Sequence, residues 1–188
     1  MEDGTTEALP TNMTADEFIA WAMGRQGKYE LFDGEVVAMA PERAVHTRIK
    51  TAAHFAFRSL CRSSGLDCEA FGDGTTVRID ETTAYEPDVS IRCGPRLPDH
   101  AIEMSDPVIV VEVLSPSTAY HDVGAKLQNY FRLASVQHYL ILQTERPLVI
   151  HHARAEGDLI ETRILGEGTI ALDPPGIEVA VEALYDTD

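Results

Sequence analysis

The 188-residue chain lacks the features of membrane, disulfide-rich and zinc-finger proteins. Its longest apolar run, 107–114, has the length of a strand and falls short of the ~20 residues that a membrane-spanning helix needs. Its three cysteines, Cys61, Cys68 and Cys93, form an odd set without CxxC spacing, which argues against a disulfide framework and a zinc site. We therefore expect reduced thiols in a soluble, cytoplasmic protein that does not enter a membrane.

Positive charge is also scarce in this chain. Fifteen lysines and arginines face 31 aspartates and glutamates, which gives a formal net charge of -16. Such a charge opposes the long-range attraction on which binding to a phosphate backbone usually depends. The basic residues could still gather on one face, and a bound divalent ion would add local positive charge. The charge therefore weighs against a nucleic-acid substrate without excluding it.

The length and composition fit one globular domain, because domains typically have roughly 100 to 200 residues. The hydrophobic fraction of 44% is sufficient for a core. Residues 1–13 are acidic and have no apolar run, so we expect a flexible N-terminal tail there and a single domain over 14–188.

The apolar pattern predicts an α+β fold around one mixed sheet flanked by helices. Asp33-Gly34 between two β-prone runs predicts a hairpin. Helix signals cover about 14–24, 42–62 and 120–134, and the first begins with a Thr14–Glu17 capping box. The remaining strand signals lie at 68–71, 75–79, 88–93, 108–114, 138–143, 148–153 and 159–165.

Glu112 is the unexpected residue of the strongly apolar strand 108–114. A charged group in a buried strand is costly unless it is paired, hydrogen-bonded or bound to a metal. Asp88 opens the preceding strand, and two carboxylates on neighbouring strands are typical ligands of Mg²⁺. The alternative is that Glu112 caps a turn or pairs with an arginine.

Lys126 could place its own positive charge beside these carboxylates. Asp122, Lys126 and Tyr130 are four residues apart and share one face of the helix that follows the Glu112 strand. A metal would lower the pKa of a bound water and withdraw charge from phosphate, and a lysine beside the water would assist. The alternative is an exposed Asp122–Lys126 ion pair, worth only about 0.3–0.5 kcal/mol.

Several motifs together resemble the Uma-two family of restriction-endonuclease-like proteins, over roughly residues 14–155. These motifs are the hairpin segment 29–35, His46 on the next helix, Pro87-Asp88, the run Glu-Val-Leu-Ser-Pro-Ser-Thr at 112–118, and the spacing of Asp122, Lys126 and Tyr130. Each motif alone is weak, and their order along the chain makes the combination specific.

The resemblance implies a restriction-endonuclease-like PD-(D/E)XK core in which Asp88 and Glu112 bind Mg²⁺ or Mn²⁺ and Lys126 acts on the attacking water. The lysine expected two residues after the acidic residue is missing, because Leu114 occupies that position, and the resemblance moves its role to Lys126. It also makes Glu30, His46 and Asp122 supporting candidates. For Glu30, the alternative is an exposed strand carboxylate, and for His46 an ordinary surface hydrogen bond.

The resemblance implies a metal-dependent endonuclease that hydrolyses phosphodiester bonds in DNA, with a homodimer as one possible assembly. A nuclease scaffold that binds or assembles without cutting is the alternative, favoured by the acidic charge and by Leu114. A different metal hydrolase that acts on small phosphoesters is a third reading.

Overall fold

The fold was analysed in a computed structural model, which describes residues 8–114 and 119–187 and gives only the backbone of 119–123. The helices are α1 (Ala15–Ala22), α2 (Ala44–Ser63) and α3 (Ala119–Tyr130). The first eight strands are β1 (Tyr29–Phe32), β2 (Glu35–Ala38), β3 (Cys68–Gly72), β4 (Thr76–Arg78), β5 (Ala84–Tyr85), β6 (Val89–Cys93), β7 (Glu103–Met104) and β8 (Pro107–Leu114). The last five are β9 (His138–Gln143), β10 (Val149–Arg154), β11 (Ile160–Leu165), β12 (Thr169–Leu172) and β13 (Ile177–Ala180).

The central layer is a six-stranded mixed sheet with the order β11-β10-β9-β8-β6-β3. Strands β8 and β9 are parallel, with α3 between them in sequence, and the other neighbours are antiparallel. A five-stranded sheet, β2-β1-β5-β4-β7, and the hairpin β12-β13 complete the strands that the structure describes. The α+β class and the mixed sheet are confirmed, but the expectation of a single sheet is wrong, because two-residue strands such as β5 and β7 are too short to show an alternating pattern.

The six-stranded sheet buries apolar side chains on both faces. On one face, Phe57 of α2 packs with Val111 of β8 and Leu172 of the C-terminal hairpin. On the other face, Val110 of β8 packs with Tyr130 of α3 and with residues of the five-stranded sheet. Full burial of each such side chain contributes about 1.5–3 kcal/mol. The central strand β8 is therefore held between two cores, which makes its one charged residue, Glu112, hard to reach by solvent.

Local signals fix the ends of several elements. The Thr14–Glu17 capping box is present at the start of α1, where the Thr14 side chain accepts from Glu17 N–H. In the predicted hairpin, Asp33 and Gly34 both have positive φ values, 47° and 82°, as a two-residue turn between twisted strands requires. Predicted tail residues also make contacts, since Met13 N–H donates to Gly34 O. The boundary between tail and domain stays a prediction.

The prediction of three reduced thiols is wrong. Cys68 and Cys93 form a disulfide, and Cys61 is the free, buried cysteine. The bonded residues are 25 positions apart in sequence but lie directly opposite each other in the antiparallel pair β3–β6. Spacing along a chain does not report which strands become neighbours, so the sequence pattern could not reveal this pair.

Among the residues that the structure describes, no helix is both long and apolar enough to cross a membrane.

Candidate functional site

Glu112 points to the side of the six-stranded sheet that faces α3. Side chains alternate along a strand, so Glu112 shares this face with Val110, whereas Val111 and Val113 face α2. Only 4% of the surface of Glu112 is exposed. A carboxylate at this depth needs partners, because an unpaired buried charge is strongly destabilising.

Two side chains of α3 supply those partners. Lys126 Nζ lies 3.1 Å from Glu112 Oε1, and the Tyr130 hydroxyl donates a 2.8 Å hydrogen bond to the same oxygen. The two residues are one helical turn apart and project from one face of α3. Lys126 Nζ also lies 2.8 Å from Oε1 of Glu30 in β1. The buried Lys126 ammonium thus bridges two buried carboxylates from different sheets.

Asp88 precedes β6 directly and is tied to the end of β8. Its Oδ2 accepts a 2.8 Å hydrogen bond from the backbone N–H of Val113, the residue after Glu112. This bond holds the Asp88 carboxylate at the same end of the sheet as Glu112. The two predicted metal ligands therefore come from neighbouring strands, as the sequence pattern predicts.

Asp88 also belongs to a second group, with Glu42, two residues before α2, and His46, in the first turn of α2. His46 Nε2 lies 2.6 Å from Val113 O and 3.3 Å from Asp88 Oδ2, and His46 Nδ1 lies 3.2 Å from Glu42 Oε2. One potential ligand atom from each residue lies within 4.8 Å of the other two. The group has the chemistry to hold a metal ion.

Two lysines neutralise part of this negative charge. Lys50 Nζ lies 2.5 Å from Glu42 Oε2 and 3.9 Å from Asp88 Oδ1. Lys28 Nζ lies 3.1 Å from Glu42 Oε1. Both lysines also pair with Asp73, in the turn between β3 and β4. They form a charged network around Glu42 that connects α2 with the two sheets.

The two groups face a common cavity of about 640 Å³. Its walls come from β1, the segment between β2 and α2, the start of α2, the ends of β8 and β9, and α3. The charged residues that line it are Glu30, Glu42, Asp88, Glu112 and Glu145, with Arg43, Lys126 and His46. Five carboxylates against two permanent cations make this cavity a site for a cation rather than for an unaccompanied anion.

Burial and neighbouring charges shift the pKa values of three residues at the site. Burial, reinforced by the negative charges of Asp88 and Glu30, raises the pKa of Glu112 to about 8 against the opposing effect of Lys126. Burial alone would lower the pKa of His46, but Asp88 and Glu42 outweigh burial and raise it. Burial also raises the pKa of the Tyr130 hydroxyl, which therefore stays a hydrogen-bond donor.

The structure brings most of the predicted site residues together. Asp88, Glu112, Lys126, Glu30 and His46 all line the same cavity. Glu30 and Lys126 are buried, which does not fit the alternatives of an exposed strand carboxylate and a surface ion pair. The side chain of Asp122 lies outside the described residues, so the supporting role of Asp122 stays a prediction.

Sequence reasoning missed Glu42, Lys50 and the lysine–carboxylate network around them. A signal for the first two was present, because Glu42, His46 and Lys50 follow one another at four-residue intervals, which puts them on one face of the helix predicted over 42–62, although α2 begins only at Ala44. Asp73 and Lys28 carried no such signal, since they come from a turn and from the residue before β1.

Known proteins resemble this chain in sequence and in fold. The family described as "Putative restriction endonuclease" (Uma2) matches residues 15–184. An uncharacterized protein of Synechocystis sp., slr1290, is 30% identical over 175 residues, which cover 92% of this chain and 91% of that protein. A crystal structure described as a "putative nuclease belonging to DUF820" from Anabaena variabilis is similar in fold, with a TM-score of 0.71 at 16% identity, over 92% of this chain and 97% of that one.

The family match spans nearly all of the described residues and includes every element that lines the cavity. The Anabaena variabilis structure independently shows the same fold. The chain therefore belongs to the Uma2 family of restriction-endonuclease-like proteins.

Proposed function

We propose that this protein is a metal-dependent endonuclease that hydrolyses phosphodiester bonds in DNA at the cavity lined by Asp88, Glu112 and Lys126. One observation carries the proposal: the Lys126 ammonium is buried and lies 3.1 Å from the Glu112 carboxylate, on the wall of a cavity that Asp88 also lines. Two carboxylates and an ammonium that converge on one cavity are the groups that hydrolysis of a phosphodiester requires.

The donor set at this end of the sheet suits Mg²⁺ or Mn²⁺. Asp88 and Glu112 offer oxygen ligands, and burial together with the charges of Asp88 and Glu30 raises the pKa of Glu112, an effect that a bound cation would oppose. A divalent ion held by Asp88 and Glu112 would supply a more acidic bound water and neutralise charge on the phosphate.

Lys126 is the residue that we expect to act on the attacking water. Glu30 and Glu112 fix the position of its amine, since both accept from Nζ. A fixed ammonium in a site shielded from solvent stabilises developing negative charge more than a solvated one does. Tyr130 positions this ion pair, because its hydroxyl holds the Glu112 oxygen that faces Lys126.

The proposal is tested by cleavage of supercoiled plasmid with purified protein in Mg²⁺ or Mn²⁺. We expect nicked and linear products from the wild-type protein and none in EDTA. Glu112→Gln and Lys126→Met should each reduce the rate by about a hundredfold or more, because each removes a fixed charge from the reacting centre.

The matched control for Glu112→Gln is Glu161→Gln, which makes the same substitution on β11 at an exposed position far from the cavity in the sheet order. It should cut at the wild-type rate. If wild-type and Glu112→Gln proteins cut equally, the activity is a contaminant or belongs to another site, and the proposal is wrong.

A non-catalytic binding or assembly module is the second candidate. The net charge of -16, the carboxylate-rich cavity and Leu114 in place of the expected lysine favour it. This reading predicts no metal-dependent cleavage by wild-type protein under any of these conditions.

A further inference from the structure

Glu42, His46 and Asp88 form a compact set of three potential ligands that is separate from the Lys126–Glu112 pair. Among the described residues, this is the one such group of histidine and carboxylate side chains. Glu42 lies two residues before α2, His46 lies in the first turn of α2, and Asp88 directly precedes β6. Helix α2 carries His46, and α2 and β6 directly follow Glu42 and Asp88; both elements pack in the core and so hold the group in place.

The hydrogen bond of His46 prepares its other nitrogen to be a ligand. Nε2 lies 2.6 Å from the carbonyl oxygen of Val113 and 3.3 Å from Asp88 Oδ2, two acceptors that favour the neutral tautomer with its proton on this nitrogen. Nδ1 then carries the lone pair, and this atom is buried without a hydrogen-bond partner among the described residues. Histidines that bind metals commonly donate their second nitrogen to a backbone carbonyl in this way, which fixes the tautomer and the ring orientation.

In the neutral ring, the Nδ1 lone pair of His46 faces the Glu42 carboxylate. This arrangement is unfavourable unless a positive charge lies between the two groups. Glu42 Oε2 lies 3.2 Å from Nδ1, and both atoms are potential acceptors when the ring is neutral. A cation beside them removes the repulsion and satisfies the buried nitrogen.

We propose that Glu42, His46 and Asp88 bind a divalent transition-metal ion, and that this position prefers Mn²⁺ to Mg²⁺. One imidazole nitrogen and two carboxylate oxygens suit an ion that accepts nitrogen ligands, whereas Mg²⁺ takes oxygen ligands and retains water. The site shares Asp88 with the proposed nuclease centre and deepens that proposal, but ion binding by these residues does not depend on DNA cleavage.

Lys50 is the cation that competes for this position. Its ammonium lies 2.5 Å from Glu42 Oε2 and 3.9 Å from Asp88 Oδ1. Asp73 is a second partner, 2.7 Å away, and gives the ammonium an alternative when an ion binds to Glu42. Removing this positive charge should therefore tighten ion binding, an effect that a purely structural lysine would not have.

The test is a calorimetric titration of metal-free protein with Mn²⁺ and, separately, with Mg²⁺ at one fixed pH. Wild-type protein should bind Mn²⁺ more tightly than Mg²⁺. His46→Gln and Glu42→Gln should weaken Mn²⁺ binding by about tenfold or more, in the range found for changes around metal ligands. Lys50→Gln should tighten it. The matched control is His54→Gln, two turns further along α2, whose ring hydrogen-bonds to Ala70 O and should not affect binding.

A second measurement uses only wild-type protein, so its result does not depend on whether a variant folds. With less than one equivalent of Mn²⁺ bound to wild-type protein, pulsed electron paramagnetic resonance should detect coupling to an imidazole nitrogen. Absence of this coupling, wild-type Mn²⁺ affinity in His46→Gln, or equal affinities for Mn²⁺ and Mg²⁺ would each overturn the inference.

The failure of this inference and the failure of the proposed function are distinguishable. If Glu112→Gln abolishes cleavage while His46→Gln binds Mn²⁺ like the wild type, the nuclease proposal stands and this site does not. If Mn²⁺ binding depends on His46 and Glu42 but no metal supports cleavage, the ion site stands and the nuclease proposal falls.

Discussion

Glu112 places a carboxyl group inside the sheet, where burial favours its neutral form against the opposing effect of Lys126 and Tyr130. Its Oε1 accepts from both partners, yet burial and the nearby carboxylates still raise its pKa to about 8. In the metal-free protein, Glu112 therefore takes up a proton more readily than an ordinary glutamate does. A bound cation would reverse this effect by favouring the ionised form.

The raised pKa of Glu112 predicts a pH-dependent stability of the metal-free protein. The unfolded chain releases this proton near pH 4.5, whereas the folded protein retains it to about pH 8. The contribution of Glu112 to stability is thus fully present below about pH 4.5 and is lost as the pH rises through 8. Glu112→Gln, which keeps the neutral form, should differ least from the wild type at pH 5 and exceed its free energy of unfolding by about 1 kcal/mol or more at pH 8.

Urea unfolding in EDTA at pH 5, 6, 7 and 8 measures this difference. Glu161→Gln is the control, because its exposed side chain should give a nearly constant difference from the wild type. If the difference between Glu112→Gln and the wild type does not change with pH, the pKa of Glu112 is not raised by its surroundings.

At the scale of elements, the β1–β2 hairpin decides whether Lys126 meets Glu30. Glu30 lies on β1, and the two-residue turn at Asp33-Gly34 sets the register that points Glu30 inward, with 7% of its surface exposed. A shift of one residue would turn Glu30 to the opposite face. The hairpin belongs to the five-stranded sheet, so Glu30 reaches Lys126 only because the two sheets pack together.

Gly34 is the residue of this turn that tolerates replacement least. Its φ of 82° is unfavourable for residues with a β carbon, while the added carbon itself would make ordinary contacts at 3.4 Å with Asn12 and Met13. Gly34→Ala should therefore lower the free energy of unfolding by about 1 kcal/mol or more through the backbone. Urea unfolding measures this loss.

Gly24→Ala provides the comparison, since an added β carbon there meets no atom within 4 Å and no positive φ is involved. That variant should be neutral or slightly more stable, because alanine restricts the unfolded chain. Equal effects of the two substitutions would show that the turn does not require glycine.

The whole molecule is acidic, and its cavity repeats this excess of negative charge. The net charge is -16, and five carboxylates line the cavity with two permanent cations. Lys28 and Lys50, which could have attracted phosphate, are instead paired with Glu42 and Asp73. The basic rim that would attract DNA unaided is thus absent from the part of the cavity wall that the structure describes.

This charge distribution predicts that DNA binding requires a divalent ion. In EDTA, fluorescence anisotropy with labelled duplex DNA at about 0.1 M salt, where screening acts over ~10 Å, should detect no binding. Addition of Ca²⁺, as a hard cation that takes oxygen ligands, should restore binding, and Glu112→Gln should reduce it. Equal affinity in EDTA and in Ca²⁺ would indicate a basic surface away from the cavity.

Local patterns were sufficient to predict the elements that carry the site. The capping box, the Asp33-Gly34 turn and the apolar periodicity of 42–62 correspond to α1, the hairpin and α2 within one or two residues, because these signals act between near neighbours. Glu112 was identifiable for a similar reason, since a charge in an apolar strand is visible in the sequence itself.

Tertiary structure alone decided which of these residues meet. The Cys68–Cys93 disulfide, the bridge from Lys126 to Glu30 across 96 residues, and the group of Glu42, His46 and Asp88 all join segments that are remote in sequence. The two short strands β5 and β7 and the division into two large sheets were hidden for the same reason. Sequence patterns report the periodicity of apolar residues and the cost of a charge in an apolar strand. Strand order and sheet packing determine which charged residues become neighbours, and those neighbours define the site.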